Sequence, residues 1–173
     1  MARRALTGLL LVGGASTRFG SPKALARLGG ETLAERAWAL LGEACEERLA
    51  AGGADVPFAT LEDARPGSGP LGGIVAGLRA ASHDVCVVVP VDMPRLTAST
   101  LHALGDACRE AAVGPRGPLP GAYARAALPV LEQALARSEL RLRDLVAALD
   151  TAVVAIDDNQ LVNVNEPGDL DLL

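Results

Sequence analysis

The stretch DVCVVVPV (84–91) constrains the fold more than any other. After Asp84 it is a continuous apolar run of strand length, rich in β-branched valine. A strand that is apolar on both faces must be covered on both faces, as in a parallel sheet with helices above and below. ALTGLLLV (5–12) has the same character. Elsewhere the pattern switches to helical spacing. TLAERAWALLGEA (32–44) sets Leu33, Ala37, Leu40, Leu41 and Ala44 on one side. LGGIVAGLRAAS (71–82) predicts a helix with Pro70 just before it, and TASTLHALGDACREAA (97–112) another with Thr97 as N-cap. ARAALPVLEQALARS and LRLRDLVAAL also read as helices. FATLED (58–63) is a short candidate strand, and TAVVAI (151–156) is the last one. The Gly/Pro-rich stretch 114–121 is expected to be a loop, because the pieces on either side are too small for separate cores. The alternation predicts a single α/β domain over 1–173, a Rossmann-like three-layer sandwich.

The chain has 173 residues and a formal net charge of −5. An acidic surface argues against non-specific nucleic-acid binding, since a phosphate backbone needs a basic face. Phosphate chemistry must be confined to a local basic spot. Cys45, Cys86 and Cys108 form no CxxC pair and no metal spacing, which fits reduced thiols in the cytoplasm. Cys86 is expected in the core. His83 and His102 lack a third ligand in register and are expected on the surface or in loops. The N-terminal apolar run breaks into Gly-Gly and then Arg18, so it reads as a first core strand, not a leader. No run is long enough to span a bilayer.

In open α/β sheets ligands bind beyond the carboxyl ends of the strands. This puts residues 13–23 and those following 84–91 on one edge. The first segment, VGGASTRFGSPKAL (12–25), combines Gly13, Gly14 and Gly20 with Arg18 and Lys23, the only lysine of the chain. Glycines let backbone N–H groups approach an anion, while an arginine fork and a mobile ammonium neutralise it from several directions. The segment matches neither G-x-x-x-x-G-K-[ST] nor G-x-G-x-x-G. DARPGSGPLGGIVAGL (63–78) offers a second glycine cradle, with Asp63 available to a base or ribose. VVVPVDMPRL (87–96) ends its strand in Asp92 between Pro90 and Pro94. A carboxylate so fixed suits Mg²⁺, which takes one or two carboxylates and fills its shell with phosphate oxygens and water. NVNEPGDL (163–170) holds Asn163 and Asn165, read either as a turn before a last helix or as two amides at strand spacing reaching into the site.

LVGGASTRFGSPK, DARPGSGPLGG, PVDMP and NVNEPGDL, in this order, resemble the motifs of the molybdenum cofactor guanylyltransferase family within the nucleotidyltransferases. The resemblance runs from residue 6 to the end. It implies a nucleotide-diphospho-sugar transferase-like fold and transfer of GMP from GTP to the terminal phosphate of molybdopterin. By position it implies nucleotide contacts at Leu11, Val12, Gly13, Gly14, Lys23, Asp63, Gly72 and Asp92. Catalytic roles would fall to Arg18, Lys23 and Asp92, with Mg²⁺ (or Mn²⁺) on Asp92 and acceptor contacts at Asn163 and Asn165. A cytoplasmic enzyme with small-molecule substrates would follow, with transient contacts to other cofactor-biosynthesis or acceptor proteins. Pro22 stands where guanylyltransferases usually carry Asp, Glu166 where the last motif usually has Thr, and the loop after the second strand reads LAAGGA (49–54). The alternatives are a cytidylyltransferase for the same pterin, a sugar-phosphate nucleotidyltransferase, or a nucleotide-binding regulatory module without turnover.

Overall fold

The computed structural model describes residues 3–13 and 22–172. Its centre is a six-stranded sheet. The strands are β1 (Thr7–Leu11), β4 (Glu47–Ala51), β5 (Val85–Pro90), β6 (Ala111–Gly114), β7 (Gly117–Ala124) and β8 (Thr151–Val153), in the spatial order β4-β1-β5-β7-β6-β8. β1 runs parallel to both β4 and β5, and β6 runs parallel to β8. Only β7 is antiparallel to its neighbours β5 and β6. A separate two-stranded ribbon pairs β2 (Arg27–Leu28) with β3 (Glu31–Thr32).

The two central runs behave as their composition requires. Successive side chains of a strand point to opposite faces. Leu10, Val85, Val87 and Val89 therefore join one core, while Leu9, Leu11, Cys86 and Val88 join the other. The first core is covered by α1 (Leu33–Ala44) and α3 (Ala98–Ala107). The second is covered by α2 (Pro70–Ala80), α4 (Leu128–Ala136) and α5 (Leu142–Ala148). The result is the expected three-layer arrangement. Cys86 is fully buried, and burial pushes its thiol up to about 12.

Caps set where helices begin. Thr32 and Glu35 form a reciprocal capping box at α1: the Thr32 hydroxyl accepts from the Glu35 amide, and Glu35 accepts from the Thr32 amide. Thr97 caps α3 as predicted, accepting from the Thr100 amide.

Three expectations are corrected. The helix predicted over 97–112 stops at Ala107, and Ala111–Gly114 is instead strand β6. Alanines that suit a helix in isolation are taken by pairing with β7 and β8. The stretch 114–121 is not a loop. Pro115 and Arg116 form the turn of a β6–β7 hairpin, and β7 is a sheet strand between β5 and β6. Its prolines are tolerated because the register breaks between Val113 and Gly114, setting Pro118–Pro120 outside the ladder. FATLED contributes only a single parallel bridge, Leu61 to Ala51. Of the two half-buried histidines, His83 lies in a bend before β5, as expected, while His102 lies within α3 with Nε2 3.0 Å from the Ala44 carbonyl.

Candidate active site

The strand register assembles the site. Leu11 of β1 lies opposite Pro90 of β5 on one side and Ala51 of β4 on the other. The three chains leaving these positions therefore emerge side by side at the carboxyl edge. There they border a cleft of about 860 Å³ lined by Leu11, Val12, Gly13, Lys23, Asp63 and Asp92 among others.

Two glycines shape its first wall. Gly52, with φ +123°, packs directly on the backbone of Gly13; a Cβ there would overlap the Gly13 amide nitrogen and lie 2.7 Å from Gly13 Cα. The Val12 amide donates to the Ala51 carbonyl at 2.9 Å, locking the start of the loop to β4. Gly69, with φ +61° and ψ −150°, caps α2 in a conformation reserved for glycine, and Pro70 begins the helix. The loop between them is held from behind. Arg65 Nη1 donates to the Leu135 carbonyl at 2.8 Å and to Ser138 Oγ at 2.9 Å.

Lys23 opens a short 3₁₀ turn, Lys23–Leu25, and its Nζ donates to Asp92 Oδ2 at 3.3 Å. The two side chains are 20% and 24% exposed, so the pair is sheltered yet open to a ligand. Among the described residues no three His, Cys, Asp or Glu side chains converge on a metal position. A divalent ion here would rest on the Asp92 carboxylate, with phosphate oxygens and water completing its shell. That donor set fits Mg²⁺. Asp63 lies half-buried beside the first turn of α2, and burial raises its pKa above the ordinary carboxylate value.

The far wall comes from the C-terminal segment and the hairpin. Asn163 lines the cleft, and the next amide, Val164 N–H, donates to the Asp92 carbonyl at 2.8 Å. Residues 162–165 are not part of a strand; they are an extended connection before a 3₁₀ turn at Pro167–Leu172. Asn165 is exposed and off the cleft lining. Its backbone amide and that of Glu166 donate to Asp169 Oδ2, and these bonds, with help from Lys23, hold the Asp169 carboxyl below its ordinary range.

The structure thus brings Leu11, Val12, Gly13, Lys23, Asp63, Asp92 and Asn163 together. Gly72 stands one position behind the lining, buried against Ser68 and Asp63, and Gly67, Gly69 and Gly73 face the cleft in its place. Gly14 and Arg18 lie outside the described residues. The resemblance led to an expectation of acceptor contacts in the segment around VGPRGPLPGA, but the sequence reading took that segment for a short loop and did not single out the wall made by Arg116, Gly117, Pro118 and Leu119. The signal was present in AAV and AYA, two apolar flanks around a Pro-Arg turn, but the prolines masked it.

Comparison with known proteins gives the family and the fold. Residues 8–153 match the model of the MobA-like NTP transferase domain. The chain is 40% identical over 178 residues to a probable molybdenum cofactor guanylyltransferase of Deinococcus radiodurans, covering 95% of this chain and 92% of that protein. A protein of the same name from Chloroflexus aggregans is 35% identical over 193 residues, covering 97% and 93%. Among solved structures, the molybdopterin-guanine dinucleotide biosynthesis protein A of Archaeoglobus fulgidus superposes with a TM-score of 0.81 at 22% identity, covering 96% of this chain and 95% of that one. The 2-C-methyl-D-erythritol 4-phosphate cytidylyltransferase of Thermus thermophilus superposes with a TM-score of 0.72 at 20% identity, covering 95% of each chain. At such identities the superpositions speak for the fold alone.

Proposed function

Because the chain belongs to the MobA-like NTP transferase family, we propose that it is a molybdenum cofactor guanylyltransferase, moving GMP from GTP to the terminal phosphate of molybdopterin. The observation that carries this reading is the 3.3 Å pairing of Lys23 with Asp92 inside a cleft walled by two glycine-bearing loops. A pure nucleotide-binding module has no need to hold a carboxylate against the cation that neutralises phosphate.

An oxygen of the acceptor phosphate forms a bond to the α-phosphorus of GTP, the bond to the bridging oxygen breaks, and pyrophosphate leaves with the electron pair. Such transfers need alignment and charge stabilisation rather than covalent help from the protein. Leu11, Val12, Gly13 and Gly14 hold the nucleotide. Asp63 meets its base or ribose, and the turn around Gly72 carries the cradle. Lys23 and Arg18 neutralise the phosphates. Asp92 holds Mg²⁺ or Mn²⁺, which supplies charge neutralisation at the reacting phosphates when bound. Asn163 faces the acceptor from the cleft lining, and Asn165, which lies off that lining, would reach it only from the rim. The chain works as one nucleotidyltransferase unit, in the cytoplasm, on small molecules, and meets other cofactor-biosynthesis or acceptor proteins transiently. Among the described residues no helix is long and apolar enough to cross a membrane.

The test is Mg²⁺-dependent pyrophosphate release with molybdopterin, screened across GTP, CTP, UTP and ATP. Release with GTP alone supports the reading. Release with CTP alone makes the chain a cytidylyltransferase, and no release with any nucleotide removes the enzyme. Lys23→Arg, run alongside, should lower kcat about tenfold or more, since a rigid fork cannot follow pyrophosphate as it departs. Unchanged kcat and KM would defeat the role given to Lys23.

A further inference from the structure

The half of the cleft above β7 and β6 carries a cation that the mechanism does not use. We propose that Arg116 binds the acceptor at the end remote from its reacting phosphate, exchanging Asp158 for a hydrogen-bond-accepting oxygen of the incoming molecule. The inference rests on the guanylyltransferase reading and extends it to the second substrate.

Arg116 lies at the tip of the β6–β7 hairpin and borders the cleft. Its Nη2 is 2.9 Å from Asp158 Oδ1, and the two side chains are 56% and 72% exposed. An ion pair this exposed is weakly held, so a ligand can replace the carboxylate at little cost. The backbone is fixed more firmly than the side chain. Arg143 Nη2 donates to the Arg116 carbonyl at 3.2 Å, and the Tyr123 hydroxyl donates to the Pro118 carbonyl at 2.7 Å. A mobile guanidinium on an anchored turn is suited to capture a ligand. Its planar fork matches the edge of a flat, oxygen-bearing heterocycle better than an ammonium would.

The sheet order gives the distance. β5 carries Asp92 just beyond its end, and β6 lies two strands away. At the usual strand spacing that is roughly 10 Å. The nucleotide wall stands on the other side of β5, over β1 and β4. An acceptor whose phosphate reacts beside Asp92 must therefore extend the opposite way. Pro118, Leu119, Leu142 and Leu161 border that part of the cleft and offer an apolar shelf to a ring. Arg116 stands at its end. Among the described residues bordering the cleft, Lys23 and Arg116 are the only Lys or Arg side chains.

Steady-state kinetics with GTP and molybdopterin varied in turn test this on the full chain with Arg116→Ala, Arg116→Lys and Asp158→Asn. The expected result is a tenfold or greater rise in acceptor KM for Arg116→Ala, with GTP KM and kcat within twofold of the wild type. Arg116→Lys should recover part of the loss, and Asp158→Asn should not raise acceptor KM. If the alanine variant melts early, Arg116→Gln supplies the same comparison. An acceptor KM within twofold of wild type in both Arg116→Ala and Arg116→Gln, or equal impairment in Arg116→Ala and Asp158→Asn, overturns the inference while leaving the reaction intact. A wild type that does not turn over molybdopterin overturns both.

Discussion

Asp63 shows how single residues divide between stability and function. It sits half-buried at the cleft wall, and burial holds its carboxyl above the ordinary 3.8. A group whose pKa rises on folding favours the folded chain while protonated, below its unfolded value. That contribution is gone once pH has passed the folded value. At neutral pH the ionised carboxylate therefore works against folding. Asp63→Asn should raise the thermal midpoint at pH 7, and the gain over wild type should shrink as pH falls toward 3.8. The same variant should bind nucleotide more weakly. Melting curves across this pH range, paired with nucleotide titration, read both effects; a variant that is less stable at pH 7 would contradict the account. Lys23 was legible in the sequence for a different reason: the only lysine behind a glycine-rich turn is conspicuous in a chain that otherwise uses arginine. Its partner was legible only as a separate motif. The separation of 69 positions from Lys23 to Asp92 is bridged by strand register, which a local pattern does not contain.

At the scale of elements, the wall to which the proposed function assigns the nucleotide depends on the close approach of two turns. The Gly52 position admits no side chain, because Gly13 occupies the space a Cβ would take. Gly52→Ala must shift the loop after β1 or the loop after β4, and it also forces alanine to φ +123°. It should cost about 1–3 kcal/mol of stability and raise nucleotide KM, read by denaturant unfolding and kinetics together. A variant with wild-type values would show that the two loops are not coupled. Strands β1 and β5 were legible because apolar residues on both faces leave few alternatives. The hairpin of β6 and β7 was not. Ala111 and Ala112 continue the helical spacing of the preceding helix, and Pro118 and Pro120 argue against a strand. What makes them strands is pairing with β5 and β8, partners distant in sequence. Arg116–Leu119 as a wall of the cleft stayed hidden for that reason.

For the whole molecule, the proposed function divides one cleft between two substrates along the strand order: it assigns the nucleotide to the half bordered by β4 and β1 and the acceptor to the half bordered by β7 and β6, with β5 ending at the division. Binding to the folded state alone raises its stability by mass action, about 2.7 kcal/mol at a hundredfold excess over Kd. GTP with Mg²⁺ should therefore lift the thermal midpoint by several degrees. The lift should be mostly lost in Asp92→Asn and retained in Arg116→Ala, which belongs to the other half. Equal shifts in all three proteins would mean that the halves do not divide the substrates in this way. The Val164–Asp92 hydrogen bond has a consequence for biosynthesis. Asp92 and the amide that steadies its backbone leave the ribosome 72 residues apart, so a nascent chain can complete its central strands while the segment after β5 still lacks this brace.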